Sequence, residues 1–213
     1  MKIVECDQMS AAWFQARAGL ITGSKAKDVL DRLKNGGDSA KRKAYKSQIL
    51  AEILSGTTQS YGITTNAMQH GIDTEPKARD HYALATGLDV EQVGFCISDE
   101  NPRWGASPDG LIGSDGLVEF KCPETITHID YLLADVVPEQ YIPQMAWQML
   151  VCERQWCEFV SFDDRLPKHL QMFVKRYHRD NAYIEYLKKE VNLFLFEVDE
   201  MVKAVNRRFP NAD

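Results

Sequence analysis

The chain is poor in the residues that staple small secreted folds. It holds five cysteines, Cys6, Cys96, Cys122, Cys152 and Cys157, an odd number with no CxxC pair. That argues against a disulfide framework and against a zinc ribbon, and for thiols in a reducing compartment. Histidine is equally sparse, and its five copies show no zinc-ligand spacing. No apolar run approaches the ~20 residues that a membrane helix needs, so a spanning protein is not expected. The opening MKIVECDQMS has no apolar signal-peptide core, so a cytoplasmic setting is expected. Repeats and low-complexity stretches are also lacking.

Hydrophobic residues make up 44% and charged residues 26% of 213, the balance of a globular chain and of one expected domain over 1–213. Charge is unevenly spread. Residues 1–60 hold ten Lys/Arg against six Asp/Glu, residues 61–150 four against fourteen, and residues 151–213 eleven against eleven. An acidic middle between less acidic flanks fits either a solvated surface or a cation site rimmed by groups that hold a polyanion. Motifs must choose.

Local signals predict short helices over 10–17 and from Thr22-Gly23-Ser24 onward, with Ser24 as N-cap. Asn35-Gly36-Gly37-Asp38 reads as a loop leading into a helix over 40–55 that carries Lys41, Arg42, Lys43 and Lys46. A longer helical pattern over 66–86 stops at Gly87. Residues 90–97 read as a strand, 104–107 as an addition to the sheet, and 109–121 as a hairpin whose turn holds Asp115-Gly116. Helices over 125–134 and 138–152 follow, then a strand over 155–162 and a mostly helical stretch over 167–206. The expected fold class is α/β, a central mixed β-sheet flanked by helices.

Ser107-Pro108-Asp109-Gly110-Leu111 followed by Glu119-Phe120-Lys121 carries the chemistry. Residues i and i+2 of a strand share a face, so Glu119 and Lys121 project together, with Asp109 nearby across the hairpin. Two carboxylates suit Mg²⁺ or Mn²⁺, and an ammonium beside them suits an ionised water. The same residues would equally make an edge-strand ion pair and a turn. Glu75 fits a helical ion pair with Arg79 as well as a site role. His70 and His81, on the same helix, read as surface or packing residues. Arg42 and Lys43, with Lys41 and Lys46, fit either non-specific contacts to a DNA backbone or a solvated loop. The run Arg165, Lys168, Lys175, Arg176 and Arg179 fits a DNA channel or a solvated face.

Taken with Trp13 through Ser24, the Gly71…Glu75 helix, the Cys122-Pro123 that follows the ExK motif and Tyr141-Ile142-Pro143-Gln144, this order resembles the lambda-exonuclease family. That is the phage alkaline exonuclease or viral recombinase group of the PD-(D/E)xK nuclease superfamily. The resemblance runs over about 10–165. It implies that fold, and a Mg²⁺-dependent (Mn²⁺ as substitute) 5′-to-3′ exonuclease that digests one strand of linear duplex DNA to mononucleotides and leaves a 3′ overhang.

The resemblance also implies two ions per site, a ring-shaped homotrimer, a single-strand annealing partner and the cytoplasm of an infected or lysogenic bacterial host. Residue by residue, Asp109 and Glu119 match the metal carboxylates, Glu75 the helical glutamate and Lys121 the catalytic lysine. The Phe120 carbonyl matches a further ligand; the family often has an aliphatic residue there. Arg17, Ser24, Ser107 and Gln144 match a pocket for a 5′-terminal phosphate, and Trp13 is a weaker candidate for DNA contact that fits core packing equally. A restriction-type or structure-specific endonuclease of the same fold, or a non-catalytic DNA-binding module, are the alternatives.

Overall fold

Two apolar strands, Gly116–Lys121 and Trp156–Phe162, lie side by side in parallel, with Glu119 opposite Phe159 and Lys121 opposite Ser161. Parallel neighbours need a crossover, and the intervening sequence supplies two helices for it. The computed structural model that shows this describes residues 1–59 and 66–210.

In chain order the elements are β1 (Lys2–Val4), α1 (Ala11–Arg17), α2 (Ala26–Leu30), α3 (Ala40–Ser55) and α4 (Asn66–Thr86). Next come β2 (Phe95–Ile97), β3 (Gly105–Ala106), β4 (Gly110–Ile112), β5 (Gly116–Lys121), α5 (Thr125–Ala134) and α6 (Ile142–Val151). The chain closes with β6 (Trp156–Phe162), β7 (Met172–His178) and α7 (Asn181–Arg208). β4-β5-β6-β7 form a mixed sheet, and β1-β2-β3 a smaller antiparallel one. Isolated bridges between Glu91 and Leu111 and between Ile21 and Trp104 add to the pairing around them.

Period-2 alternation divides the core. Leu117, Cys157 and Phe159 pack with Tyr131, Met145, Trp147 and Phe194 in one cluster that takes in α5, α6 and α7. Val118, Phe120, Val160 and Phe162 pack with Ala78 and Tyr82 of α4 in another. Helices therefore cover both faces of β5, which is a central strand. Glu119 and Lys121 alternate with Phe120 and so face the α6 side. Asp180 caps α7 by accepting from the Ala182 and Tyr183 N–H groups. Gly56 and Gly87, in left-handed conformations at φ +67° and +69°, end α3 and α4.

Four expectations are corrected. The strand expected over 90–97 shrinks to Phe95–Ile97. The stretch expected to be helical over 167–206 begins with β7, which pairs along its whole length with β6. Its polar residues follow from its place at the sheet edge. Ser24 is not an N-cap: it sits inside a single 3₁₀ turn, Gly23–Lys25, that runs directly into α2.

Arg42 is not a DNA-facing cation. It is fully buried, donating to Asp38 at 2.7 Å, to Glu197 at 2.7 Å and to the Val29 carbonyl, with its guanidinium 5.0 Å over Phe194. Lys46 joins the same two carboxylates, whereas Lys43 is exposed. In the C-terminal basic run, three of the five cations pair locally with carboxylates. Arg165 pairs with Asp163 and Glu124, Lys175 with Asp135 and Arg176 with Glu158, while Arg179 donates to the Met149 and Arg154 carbonyls.

Candidate active site

The hairpin's open end, α1, the 3₁₀ turn and α6 enclose a narrow cleft of about 170 Å³. Its lining brings together Trp13, Arg17, Ser24, Ser107, Asp109, Glu119, Lys121 and Gln144, eight of the residues singled out from sequence. It also contains Gln8, Thr22, Gly23 and Gln148. Glu75 lines an adjoining cleft of about 680 Å³ with Arg79 and Gln92, and Gln8 borders both spaces. The Gln8 amide bridges the Val93 and Pro108 carbonyls at 3.0 Å each, so it pins the loop before Asp109.

Three carboxylates crowd this place. Asp109 accepts the Phe120 N–H at 2.7 Å, yet burial and then repulsion from Glu119 and Glu75 hold its pKa well above the ordinary range. Glu75 pairs with Arg79 at 2.6 Å, and its pKa is still raised, first by burial and against Arg79, with Glu119 adding to the rise. Glu119 is 1% exposed. Its Oε1 accepts from Lys121 and from Gln144 at 2.5 Å, and its Oε2 from Gln148 at 2.6 Å. Burial pulls the Lys121 pKa down, but Glu119 and Asp109 together win, so the ammonium stays firmly charged. As an ammonium it can donate and neutralise charge.

Hard oxygen donors without histidine or thiol are the chemistry of Mg²⁺ or Mn²⁺. The excess of buried negative charge, seen in the raised Asp109 and Glu75, fits a divalent cation. Among the described residues, no three His, Cys, Asp or Glu side chains converge as a ready cation cage. Internal donors take the carboxylates instead: Arg79 on Glu75, and Gln144, Gln148 and Lys121 on Glu119.

On the other side, Arg17 lies 3.7 Å over the Trp13 ring and reaches Thr22 Oγ1 at 3.5 Å. The Trp13 indole N–H in turn donates to Ser107 Oγ at 2.8 Å. Burial lowers Arg17 to about 10, with Tyr45 and Glu52 opposing, so it remains cationic at neutral pH. Among the described residues, Arg17 enters no ion pair with a carboxylate. A half-buried guanidinium of this kind is a ready partner for phosphate. Gln144, expected beside that phosphate, has its amide on Glu119 here. Gln8 and Gln148 were not singled out from sequence. Gln8 lies in no motif, whereas Gln148 stands one helical turn from Gln144.

A mixed sheet with Asp109 at one strand's start and Glu119-Phe120-Lys121 on the next, flanked by helices, defines a nuclease of the PD-(D/E)xK class. Residues 12–155 match the YqaJ-like viral recombinase domain, and the chain belongs to that family. Two structures of the alkaline exonuclease LHK-Exo from Laribacter hongkongensis are 40% identical to it, cover 93% of this chain and are themselves covered to 97%. They superpose with TM-scores of 0.86 and 0.85, the former solved with dAMP. A phage-related exonuclease from Haemophilus somnus 129PT shares the fold at a TM-score of 0.66 and 16% identity, over 87% of this chain and 96% of its own. A search of curated proteins finds no match to this chain.

Proposed function

We propose that the chain is a divalent-metal-dependent 5′-to-3′ exonuclease that resects one strand of linear duplex DNA to mononucleotides and leaves a 3′ overhang. One observation carries this reading. Arg17, which enters no ion pair with a carboxylate among the described residues, opens into the same narrow cleft as Asp109, Glu119 and Lys121. A terminal 5′-phosphate held by Arg17, Ser24 and Ser107, with Gln144 turning to it, sets the cut close to that end. The dAMP in the Laribacter relative, a mononucleotide, supports release of single nucleotides.

Asp109, Glu119, Glu75 and the Phe120 carbonyl would hold Mg²⁺, two ions per site. When bound, such an ion would supply an acidified water and would offset charge on the leaving oxygen. Lys121 would orient the attacking water and offset its developing negative charge. The water oxygen bonds to phosphorus, the bond from phosphorus to the 3′-oxygen of the terminal nucleotide breaks, and that oxygen takes a proton. The next nucleotide is left with a 5′-phosphate, ready for Arg17 again. Lys43, exposed on α3, would contact the DNA backbone. A homotrimeric ring, an annealing protein as partner and action in the cytoplasm of a bacterial host complete the proposal. Among the described residues no helix is long and apolar enough to cross a membrane.

Linear duplex labelled at the 5′ or at the 3′ end tests it, with Mg²⁺ and an EDTA control. Early release of 5′ label as mononucleotide, abolished by EDTA and accompanied by an intact closed circle, is expected. Cutting of the closed circle would establish the endonuclease instead. Absence of any digestion would leave a binding module. Sedimentation as a monomer would remove the ring.

A further inference from the structure

Helix α6 is apolar apart from two glutamines. Pro143, Met145, Ala146, Trp147, Met149, Leu150 and Val151 are all buried, and Gln148 is buried among them at 1% exposure. An amide in such surroundings needs a reason. Its Nε2 donates to Glu119 Oε2 at 2.6 Å, while its own Oε1 is buried without a hydrogen-bond partner among the described residues. A lone acceptor of this kind is destabilising. Reversing the amide would set two oxygens against each other, so Glu119 dictates the orientation.

The two oxygens of Glu119 are held differently. Lys121 and Gln144 take Oε1, at the cleft. Among the described residues, Gln148 alone takes Oε2. The spacing of four residues puts both amides on one face of α6. Gly23 backs them closely: a Cβ there would stand 3.3 Å from Gln148 Cγ and 3.6 Å from Gln144 Cγ. The glutamine stems are thus confined from behind and the carboxylate is gripped from in front.

We propose that Gln148 is a positioning residue for the cleavage reaction. By holding Oε2 it fixes the plane of the Glu119 carboxylate and keeps Oε1 presented to Lys121 and to a divalent cation. This rests on the nuclease reading above. Hydrogen bonds behind a metal-binding side chain typically account for 10- to 100-fold in metal affinity or activity.

The test is Gln148→Met, close in volume and without a donor. Mn²⁺ binding is measured by calorimetry without DNA, kcat and KM on a 5′-phosphorylated duplex, and thermal unfolding, each beside wild type. The expectation is Mn²⁺ affinity and kcat both lowered roughly 10- to 100-fold, KM for DNA within about twofold, and an unfolding temperature only slightly below wild type, since Glu119 Oε2 loses its donor while the partnerless Gln148 Oε1 disappears. Gln148→Asn, which keeps the amide but withdraws it by one methylene, is expected to show the same kcat loss. Wild-type Mn²⁺ affinity and kcat in both variants would overturn the proposal. So would failure of Gln148→Met to fold, since that would make the amide a structural necessity. A wild-type protein that binds no Mn²⁺ and cuts no DNA would instead bring down the nuclease reading itself.

Discussion

Arg42→Ala separates two meanings of the same basic residue. From sequence it belongs to a cluster fit for a DNA backbone; in the fold it joins three elements. Its guanidinium holds Asp38 before α3 and Glu197 on α7, each at 2.7 Å, and the carbonyl of Val29 on α2. Truncation leaves two carboxylates to Lys46, orphans a buried carbonyl and opens a cavity against Phe194. Breaking a buried ion pair from one side costs about 3–5 kcal/mol. Because Lys46 remains on both carboxylates, the lower end applies, about 3 kcal/mol. For a chain of this size each kcal/mol moves the unfolding temperature by about 2–4 °C, so a drop of about 6–12 °C is expected. Thermal unfolding by circular dichroism reads it. DNA binding and cleavage, measured well below the transition, should stay near wild type. A variant with unchanged unfolding temperature and weakened DNA binding would refute the structural role and restore the DNA contact.

Asp109→Asn should abolish cleavage yet raise the unfolding temperature of the metal-free protein by a few degrees, on the order of 1 kcal/mol. The folded pKa of Asp109 lies above its unfolded value, so its ionisation subtracts stability at neutral pH. The gain should shrink as pH falls from the raised folded value to the ordinary carboxylate value, and an equal gain at pH 3 and pH 7 would contradict the crowding. Arg17→Ala should lose roughly 10- to 150-fold in kcat/KM on 5′-phosphorylated ends, the worth of 1.5–3 kcal/mol for charged hydrogen bonds, and little on 5′-hydroxyl ends. Equal losses on both ends would remove Arg17 from the phosphate. Asp163 is resisted by burial but lowered to about 2 by Arg165 and Thr125. Its stabilisation is therefore present above the unfolded value and lost as pH falls from about 4 to about 2. Asp163→Asn should cost about 1–2 kcal/mol at pH 7, allowing for solvent around Arg165, and nothing at pH 2, as unfolding curves at the two pH values would show.

Local chemistry made much of this protein legible in its sequence. The hairpin of β4 and β5, the helix that Gly87 stops and the shared face of Glu119 and Lys121 follow from turn residues, caps and a period of two, all properties of neighbouring residues. So does the order of motifs that identifies the family. Long-range pairing decided the rest. β7 is a strand because β6 offers it an edge. Arg42 looked like a solvent cation, and its partner Glu197 stands 155 positions away. Gln148 was one glutamine among several until Glu119 was set against it. Burial and long-range pairing depend on which distant groups the fold brings together, and no short window along the chain contains Arg42 with Glu197 or Gln148 with Glu119.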